Sequence, residues 1–282
     1  MFFKESDKMI KLAVFDLDNT LLSTDKTISE KNKEAVKTLR MNGIQVAVAT
    51  GRGYEMAEPF ANEVGLYEGP IVTNNGAIIH DLSDKRVLKE HIIGKTAQAT
   101  MIDFAYTNDY PFIVYNTEGI HSLENERLKV YESWNIKYPD SEMPVTITED
   151  IDTLKTIDAH KILIIIKDID AFNKALDDYK DLEDGAVTKS HDTFLDVIPK
   201  HGNKGEGMRF LMDYYNAKKD EIIVFGDNDN DAQMLEQIPL SFAMKNATIK
   251  AKQAATHTTD LDNNDSGVAD SLEKALKNQI KV

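Results

Sequence analysis

Two aspartates separated by one residue stand directly after an apolar run, and their types and spacing could do chemistry. The run 12–15 is followed by Asp16, Asp18 and Thr20. A buried strand would end there, and the turn after it would present two carboxylates and a hydroxyl. One carboxylate could attack an electrophile while its neighbour moves a proton, and together they could hold a divalent cation.

Three further polar motifs follow the ends of strands or open a helix elsewhere in the chain. Ligands of open α/β sheets bind at the carboxyl ends of the strands. The sequence therefore predicts that all four motifs meet at one edge of a sheet, however far apart they are along the chain. The three are Thr50-Gly51-Arg52, Lys204 at a helix start, and Gly226-Asp227 with Asn230 and Asp231.

The elements that would position these motifs alternate between strand and helix. Buried strands are predicted at 10–15, 44–49 and 70–73, with helices between them, and the same rhythm resumes from residue 204 onwards. Ser29 is predicted to cap the first helix. This alternation indicates an α/β fold whose core is a Rossmann-like, doubly wound parallel sheet with helices on both faces.

The segment between these two halves has a different pattern of strands and helices. From residue 84 to 198, strand-like pieces surround two or more amphipathic helices, which predicts an inserted α+β cap domain. The segments 81–85 and 198–202 are the candidate hinges. We therefore expect a core domain made of residues 1–83 and 199–282, and a cap domain made of residues 84–198.

Composition and charge exclude several functions. The chain has 282 residues, 41% of them hydrophobic, and a formal net charge of −15. Such an acidic surface repels nucleic-acid phosphates and anionic membranes, so neither is an expected partner. The absence of cysteine excludes disulfides, zinc–thiolate sites and thiol nucleophiles. Because the sequence has no bilayer-length apolar span and no apolar leader within residues 1–9, we expect a cytoplasmic location.

The four motifs, in this order, resemble the haloacid dehalogenase (HAD) superfamily of phosphohydrolases. Accessory stretches point further to its Cof-type subfamily with a type IIB cap: 73–77 (TNNGA), 203–205 (NKG), 243–247 (AMKNA) and 264–269 (NDSGVA). A lone pair of aspartates would be a weak signal, but four ordered motifs with these stretches are specific. The resemblance covers essentially the whole chain after Lys8.

The resemblance implies a Mg²⁺-dependent phosphoric monoester hydrolase that acts on a small-molecule phosphate ester. Asp16 would be the nucleophile and form an aspartyl-phosphate, while Asp18 would protonate the leaving alcohol and then deprotonate water. Mg²⁺ would bind Asp16, the backbone carbonyl of Asp18, and Asp227. Asp231 would orient a metal-bound water or the lysine.

The expected substrate contacts also follow from the resemblance. Thr50 and the backbone at Gly51 would hydrogen-bond the phosphoryl oxygens. Lys204 would bring positive charge to the phosphate and to the nucleophile. Arg52 would reach the substrate or a neighbouring carboxylate, and Asn230 would lie near the substrate or the outer shell of the cation.

Several of these residues have an alternative interpretation that requires no chemistry. An aspartate at the end of a strand is often a helix cap or a turn former. Lys204 alone would be a solvated surface lysine, and Arg52 is equally well explained by a structural ion pair. Asn19 stands where the family often has glycine, and a left-handed backbone there would keep the tight turn accessible. Trp134 falls at helical spacing from its aromatic neighbours, which indicates packing within the cap domain.

Three functions fit this sequence, in descending order. The first is hydrolysis of small phosphomonoesters, with sugar phosphates favoured. The second is a phosphomutase or phosphotransferase acting on sugar phosphates, because phosphomannomutases resemble this architecture. The third is a non-catalytic sugar-phosphate sensor, whose signature would be degenerate catalytic residues. The cap is expected to select the leaving group, and Asp196, His191 and Asn116 are candidates near the seam with the core.

Overall fold

Strands and helices alternate along the chain, and the computed structural model describes residues 9–277. Residues 1–8 lie outside that range. They belong to the stretch 1–9, for which the sequence analysis predicted no apolar leader. The helices are α1 (Glu30–Met41), α2 (Tyr54–Glu63), α3 (Lys95–Thr107), α4 (Leu128–Lys137), α5 (Ile151–Thr156), α6 (Ile169–Asp178), α7 (Lys204–Tyr214), α8 (Ala232–Gln237), α9 (Ile249–Ala254) and α10 (Gly267–Leu276). The strands are β1 (Leu12–Phe15), β2 (Gln45–Val48), β3 (Pro70–Thr73), β4 (Ile78–Asp81), β5 (Val87–Glu90), β6 (Phe112–Asn116), β7 (Gly119–Ser122), β8 (Val145–Ile147), β9 (Lys161–Ile165), β10 (Ala186–His191), β11 (Phe194–Ile198), β12 (Ile222–Gly226), β13 (Leu240–Ala243) and β14 (His257–Thr258).

Five parallel strands form the central sheet in the order β14-β13-β12-β1-β2. The middle strands β1 and β12 are buried along their whole length, as their unbroken apolar runs predict. Because β1, β2 and β12 are parallel, their carboxyl ends lie at the same edge of the sheet. The segments that follow these three strands carry Asp16, Thr50 and Asp227.

A three-stranded antiparallel sheet, in the order β3-β4-β5, lies beside the central sheet. A bridge between Ala49 and Val72 connects it to the end of β2. The predicted hinge at 81–85 is instead the tight turn between β4 and β5, closed by a hydrogen bond from Lys85 N to Asp81 O of 2.9 Å. The chain therefore stays within one sheet there, and the domain bounds of the sequence analysis stay a prediction.

The inserted segment contains a separate six-stranded sheet in the order β10-β11-β9-β6-β7-β8. All its pairings are antiparallel except β7 with β8. Successive side chains of β6 point to opposite faces. Phe112 and Val114 belong to a hydrophobic cluster with α3 and α6, whereas Ile113 and Tyr115 join the cluster of the central sheet. This sheet is therefore covered on both faces, and one face looks toward the core.

The architecture confirms the predicted fold class, an α/β parallel-sheet core with an inserted α+β cap. Ser29 caps α1 as predicted and accepts a hydrogen bond from Asn32 N. The strands β4, β7 and β8 and the helices α4 and α5 were not predicted as elements. Among residues 9–277, no helix is both long enough and apolar enough to cross a membrane.

Candidate active site

The turn after β1 presents Asp16 and Asp18 at the edge of the central sheet. Asp16 N donates to Phe225 O over 3.0 Å, which ties the start of the turn to β12. Asn19 adopts φ = +57°, which confirms the left-handed backbone expected where the family often has glycine. Thr20 Oγ1 then donates to Asp227 Oδ1 over 3.1 Å. One tight turn thus connects the first motif directly to the last one.

Thr50, Gly51 and Arg52 follow β2 at the same edge. Thr50 is fully buried, and its N–H and C=O bond to Val72 O and Asn75 N, each over 2.9 Å. Its hydroxyl accepts from Arg52 N over 3.2 Å. A side chain at Gly51 would place its Cβ 2.8 Å from Asn75 Oδ1, so the close approach of this loop requires glycine.

Lys204 links the nucleophile candidate to the last motif. It is the first residue of α7, is completely buried, and donates from Nζ to Asp16 Oδ1 over 2.6 Å and to Asp231 Oδ1 over 2.5 Å. Burial alone would lower the pKa of Lys204, but the two carboxylates raise it above its usual value. The interpretation of Lys204 as a solvated surface lysine is therefore wrong.

Asp231 is fully engaged by protein donors. Its Oδ2 accepts from the backbone N–H groups of Asp227 and Asn228, each over 2.9 Å, while Oδ1 accepts from Lys204. A Cβ on Gly226 would lie 2.7 Å from Asp231 Cβ, so glycine allows this carboxylate to pack under the end of β12. These contacts hold Asp231 against the lysine. That Asp231 orients the lysine or a metal-bound water stays a prediction.

Three buried carboxylates share one buried ammonium at this edge. One oxygen each from Asp16, Asp227 and Asp231 lies within 4.8 Å of the others. Burial raises the pKa of Asp16 to about 7, with Lys204 opposing and Asp231 reinforcing the rise. Burial, together with Asp16 and Asp231, raises the pKa of Asp227 well above its usual range. The cluster therefore has three carboxylates but one ammonium to offset their negative charge.

This donor set fits a hard divalent cation. Mg²⁺ and Ca²⁺ take oxygen ligands, and carboxylates supply both the oxygens and the charge. Asp16 and Asp227 each have one oxygen bound by a protein donor, Lys204 Nζ and Thr20 Oγ1 respectively. Asp231 has both oxygens occupied. Asp16 and Asp227 therefore fit direct ligands, and Asp231 fits a supporting role.

Arg52 pairs with Asp18 instead of standing free in the cavity. Its Nε and Nη2 donate to the two oxygens of Asp18 over 2.7 and 2.8 Å, and Lys26 Nζ adds a third contact of 2.8 Å. Burial would raise the pKa of Asp18, but Arg52 and Lys26 outweigh it and hold the pKa well below its usual range. The guanidinium carbon also lies 4.8 Å from the ring centroid of Phe60 and 5.9 Å from that of Trp134.

A polar network joins the cap to the core beside the site. Asn75 Nδ2 donates to Asp196 Oδ2 over 2.7 Å, and Asn75 Oδ1 accepts from Asn230 Nδ2 over 2.8 Å. Lys161 Nζ donates to Gly51 O over 2.8 Å and lies 3.3 Å from Asp196 Oδ2. Asn230 thus bonds to a side chain of the core, and Asp196 faces the seam as expected.

A cavity of about 500 Å³ opens above the carboxylates and is closed on the far side by the cap. The predicted residues that line it are Asp16, Asp18, Gly51, Arg52, Asp227 and Asn230. Trp134 contributes to its wall, so this aromatic residue packs within the cap and also faces the site. His191 lines the same cavity, whereas Asn116 lines two separate ones.

Sequence analysis missed three residues that shape this site. Asn75 lies in the 73–77 stretch and was given no role of its own, yet its amide connects cap and core. Lys161 and Arg127 lie in the inserted segment, more than a hundred residues from Asp16, and no local pattern distinguishes them from surface cations. The 73–77 stretch of the resemblance was the one available signal for Asn75.

Known proteins match this chain along nearly its whole length. A family model described as haloacid dehalogenase-like hydrolase matches residues 13–272. The 5-amino-6-(5-phospho-D-ribitylamino)uracil phosphatase YwtE of Bacillus subtilis is 26% identical over 291 residues, which cover 96% of this chain and 99% of YwtE. A haloacid dehalogenase-like hydrolase from Bacteroides thetaiotaomicron superimposes with a TM-score of 0.77 at 28% identity, covering 94% of this chain and 99% of that one. A Thermotoga maritima protein gives a TM-score of 0.74 at 30% identity, with coverages of 94% and 97%.

Proposed function

This chain belongs to the haloacid dehalogenase-like hydrolases and is a phosphatase, and we propose that it hydrolyses small phosphomonoesters, foremost sugar phosphates, through an aspartyl-phosphate on Asp16 with the help of Mg²⁺. One observation carries the proposal. Asp16 lies at the base of the cavity with one oxygen bound to Lys204 Nζ over 2.6 Å, which leaves its second oxygen for attack. The relative YwtE, a phosphatase of a ribitylamino phosphate, supports a polyol or sugar ester as the substrate class.

The proposed reaction has two displacement steps at phosphorus. In the first, the free oxygen of Asp16 bonds to phosphorus, the bond from phosphorus to the alcohol oxygen breaks, and Asp18 gives that oxygen a proton. In the second, water bonds to phosphorus, loses a proton to Asp18, and displaces the Asp16 carboxylate. Inorganic phosphate and the free alcohol are the products.

Asp18 can act only after it exchanges partners. Both of its oxygens contact cations, Arg52 and Lys26, and this pairing favours the ionised form. For the first step, Asp18 must therefore give up at least one of these contacts and take up a proton from solvent, which it then passes to the leaving oxygen of the substrate. Because Arg52 contacts the rings of both Phe60 in the core and Trp134 in the cap, its position depends on both parts of the chain.

The remaining residues neutralise and orient charge. Lys204 offsets the negative charge that builds up between Asp16 and the phosphoryl group. The hydroxyl of Thr50 and the N–H of Gly51 follow β2 at the carboxyl edge, where both can donate to phosphoryl oxygens. The N–H of Thr50 itself already donates to Val72 O. Asp16, Asp227 and the carbonyl of Asp18 would hold the cation. When bound, a divalent cation neutralises the phosphoryl oxygens and lowers their repulsion of an anionic nucleophile.

Replacement of the nucleophile tests the proposed function. Asp16→Asn should reduce phosphate release from a panel of sugar phosphates to background, because an amide oxygen cannot form the intermediate. The variant should remain folded, since Lys204 keeps its contact with Asp231. Release is measured with Mg²⁺ and again after chelation, and chelation should stop the wild-type reaction.

Asp213→Asn is the matched control, because Asp213 is exposed on α7, the helix that begins with Lys204. It should release phosphate at the wild-type rate. Wild-type activity in Asp16→Asn would refute the assignment. Conversion of a hexose 1-phosphate to its isomer without phosphate release would favour the mutase instead.

A further inference from the structure

We propose that Arg127 in the cap binds a second anionic group of the substrate, so that the enzyme prefers phosphomonoesters that also carry a carboxylate or another phosphate. This inference rests on the proposed function, because it concerns the same cavity. It goes further because it names a residue that selects the substrate. It also predicts a negative charge on the alcohol part of the substrate, which is the leaving group. Four features of the described residues support it.

The first feature is position. Arg127 directly precedes α4 and lines the cavity that contains Asp16 and Asp227. Arg127 and Tyr131 are four residues apart, so they lie on the same face of the helix. That face looks into the cavity, because Tyr131 and Trp134 line it too. A substrate whose phosphate is at Asp16 would extend toward this wall.

The second feature is an unbalanced charge. Among the other cations of the cavity wall, Arg52 and Lys26 pair with Asp18, and Lys161 pairs with Asp196. Lys137 also lacks a carboxylate partner among the described residues, but it is exposed to solvent. Within residues 9–277, Arg127 has no carboxylate oxygen within the 4.0 Å of an ion pair. The chain has 48 acidic side chains against 33 Lys and Arg, so such an arginine in a cavity wall stands out. A positive charge without a partner there would attract an anion.

The third feature is preorganisation. The guanidinium carbon of Arg127 lies 4.9 Å from the ring centroid of Phe194 and 5.8 Å from that of Tyr131. The hydroxyl of Tyr131 hydrogen-bonds that of Tyr115, which holds the ring in place. The aromatic rings therefore limit the rotamers of Arg127 before a ligand arrives, and this lowers the entropic cost of binding.

A hydrogen-bond donor of Arg127 also lacks an acceptor. Its Nε is buried and has no partner among the described residues. An unsatisfied buried donor is destabilising, so a purely structural cation–π role leaves this cost without compensation. The guanidinium fork matches the geometry of a carboxylate or phosphate, and either group could satisfy it with two parallel hydrogen bonds.

A comparison of matched substrates tests the inference on the full-length enzyme with Mg²⁺. Glucitol 6-phosphate and 6-phosphogluconate are both open-chain and differ only at C1, a hydroxymethyl group against a carboxylate, and fructose 6-phosphate and fructose 1,6-bisphosphate differ by a second phosphate. We expect kcat/KM to be about tenfold or more higher for at least one anionic member, since a charged hydrogen bond contributes about 1.5–3 kcal/mol. The pair that shows the larger ratio identifies the anion.

Substitution of Arg127 should remove this preference. Arg127→Gln should bring the ratio within each pair to about one, mainly by raising KM for the anionic member, and should leave the other member within about twofold of wild type. Arg127→Lys keeps the charge without the fork and should retain part of the preference. Arg209→Gln, which removes the same charge at an exposed position of α7, should change neither ratio.

Equilibrium binding to the Asp16→Asn variant separates this inference from the proposed function. Tighter binding of the anionic member that Arg127→Gln abolishes supports the inference, even if the wild-type enzyme hydrolyses none of the esters and the proposed function fails. Hydrolysis of all four esters without preference overturns the inference and leaves the proposed function intact. Equal loss for both members of each pair in a folded Arg127→Gln protein would also overturn it.

Discussion

Lys204 is the single buried positive charge among three buried carboxylates. It contacts Asp16 and Asp231 directly, and Asp227 lies close to both of these carboxylates. Asp16 and Asp227 line the cavity, whereas Asp231 does not and has both oxygens bound by protein donors. The ammonium thus offsets part of the negative charge at the base of the cavity.

Removal of that charge should destabilise the fold as well as stop the reaction. Lys204→Met leaves Asp16 and Asp231 buried without their cation, and loss of one partner of a buried pair costs about 3–5 kcal/mol. Urea denaturation measures the loss. Lys250→Met, at an exposed position of α9, should cost less than about 0.5 kcal/mol. Equal stability of the two variants would mean that Lys204 is not the counter-charge of the cluster.

The elements that hold Lys204 meet through a very close backbone contact. Gly76, in the turn between β3 and β4, has φ = +99°, and a Cβ there would lie 2.2 Å from Asn203 O. Asn203 caps α7 by accepting from Glu206 N, and Lys204 is the first residue of that helix. The turn therefore sets the position at which α7 begins, and with it the position of the ammonium.

Gly76→Ala should reduce stability and activity together. A side chain at positive φ costs about 1–2 kcal/mol, and the overlap with Asn203 adds about 1–3 kcal/mol. Gly43→Ala is the matched control, because Gly43 has φ = +78° but no atom within 4 Å of the added Cβ. Denaturation and kcat are measured for both. The same loss in both variants, with normal kcat in each, would show that the contact does not position Lys204.

Apolar continuity made the core elements predictable from sequence. β3 has the predicted bounds, residues 70–73, because it is a short apolar run that a turn follows directly. β4 and β7 were missed because His80 and His121 interrupt their runs. α4 was missed because charged residues surround Tyr131 and Trp134, although their helical spacing was recognised. Tertiary packing determines whether these segments form strands or helices, and a local sequence pattern does not reveal it.

At the scale of the whole molecule, the site is built from two sheets that meet. The carboxyl edge of the central sheet supplies the charged residues, and one face of the six-stranded sheet covers them. The motifs on the central sheet were predictable because parallel strands bring their ends together by geometry. Asn75, Asp196 and Lys161 were not predictable as a network, since their contacts cross between the sheets and depend on how the sheets pack.

This division also separates the reaction from the choice of substrate. Asp16, Asp18 and Lys204 are positioned by the core, so the proposed chemistry at phosphorus depends on few cap residues. Arg127, Tyr131 and Trp134 come from the inserted segment and line the part of the cavity that would receive the group attached to the phosphate. Changes in the cap should therefore alter which esters are accepted, whereas changes in the core should alter turnover of all of them.

The most direct test of the central claim is to trap the phosphorylated residue. The enzyme is mixed with a hydrolysed ester and Mg²⁺, quenched in acid within one turnover, and reduced with borohydride, which converts an aspartyl-phosphate to homoserine. Mass spectrometry of the tryptic peptide 12–26 then locates the change. The account predicts homoserine at position 16 and unmodified Asp18 and Asp25. Modification at another residue, or an unmodified peptide while phosphate is released, would contradict it.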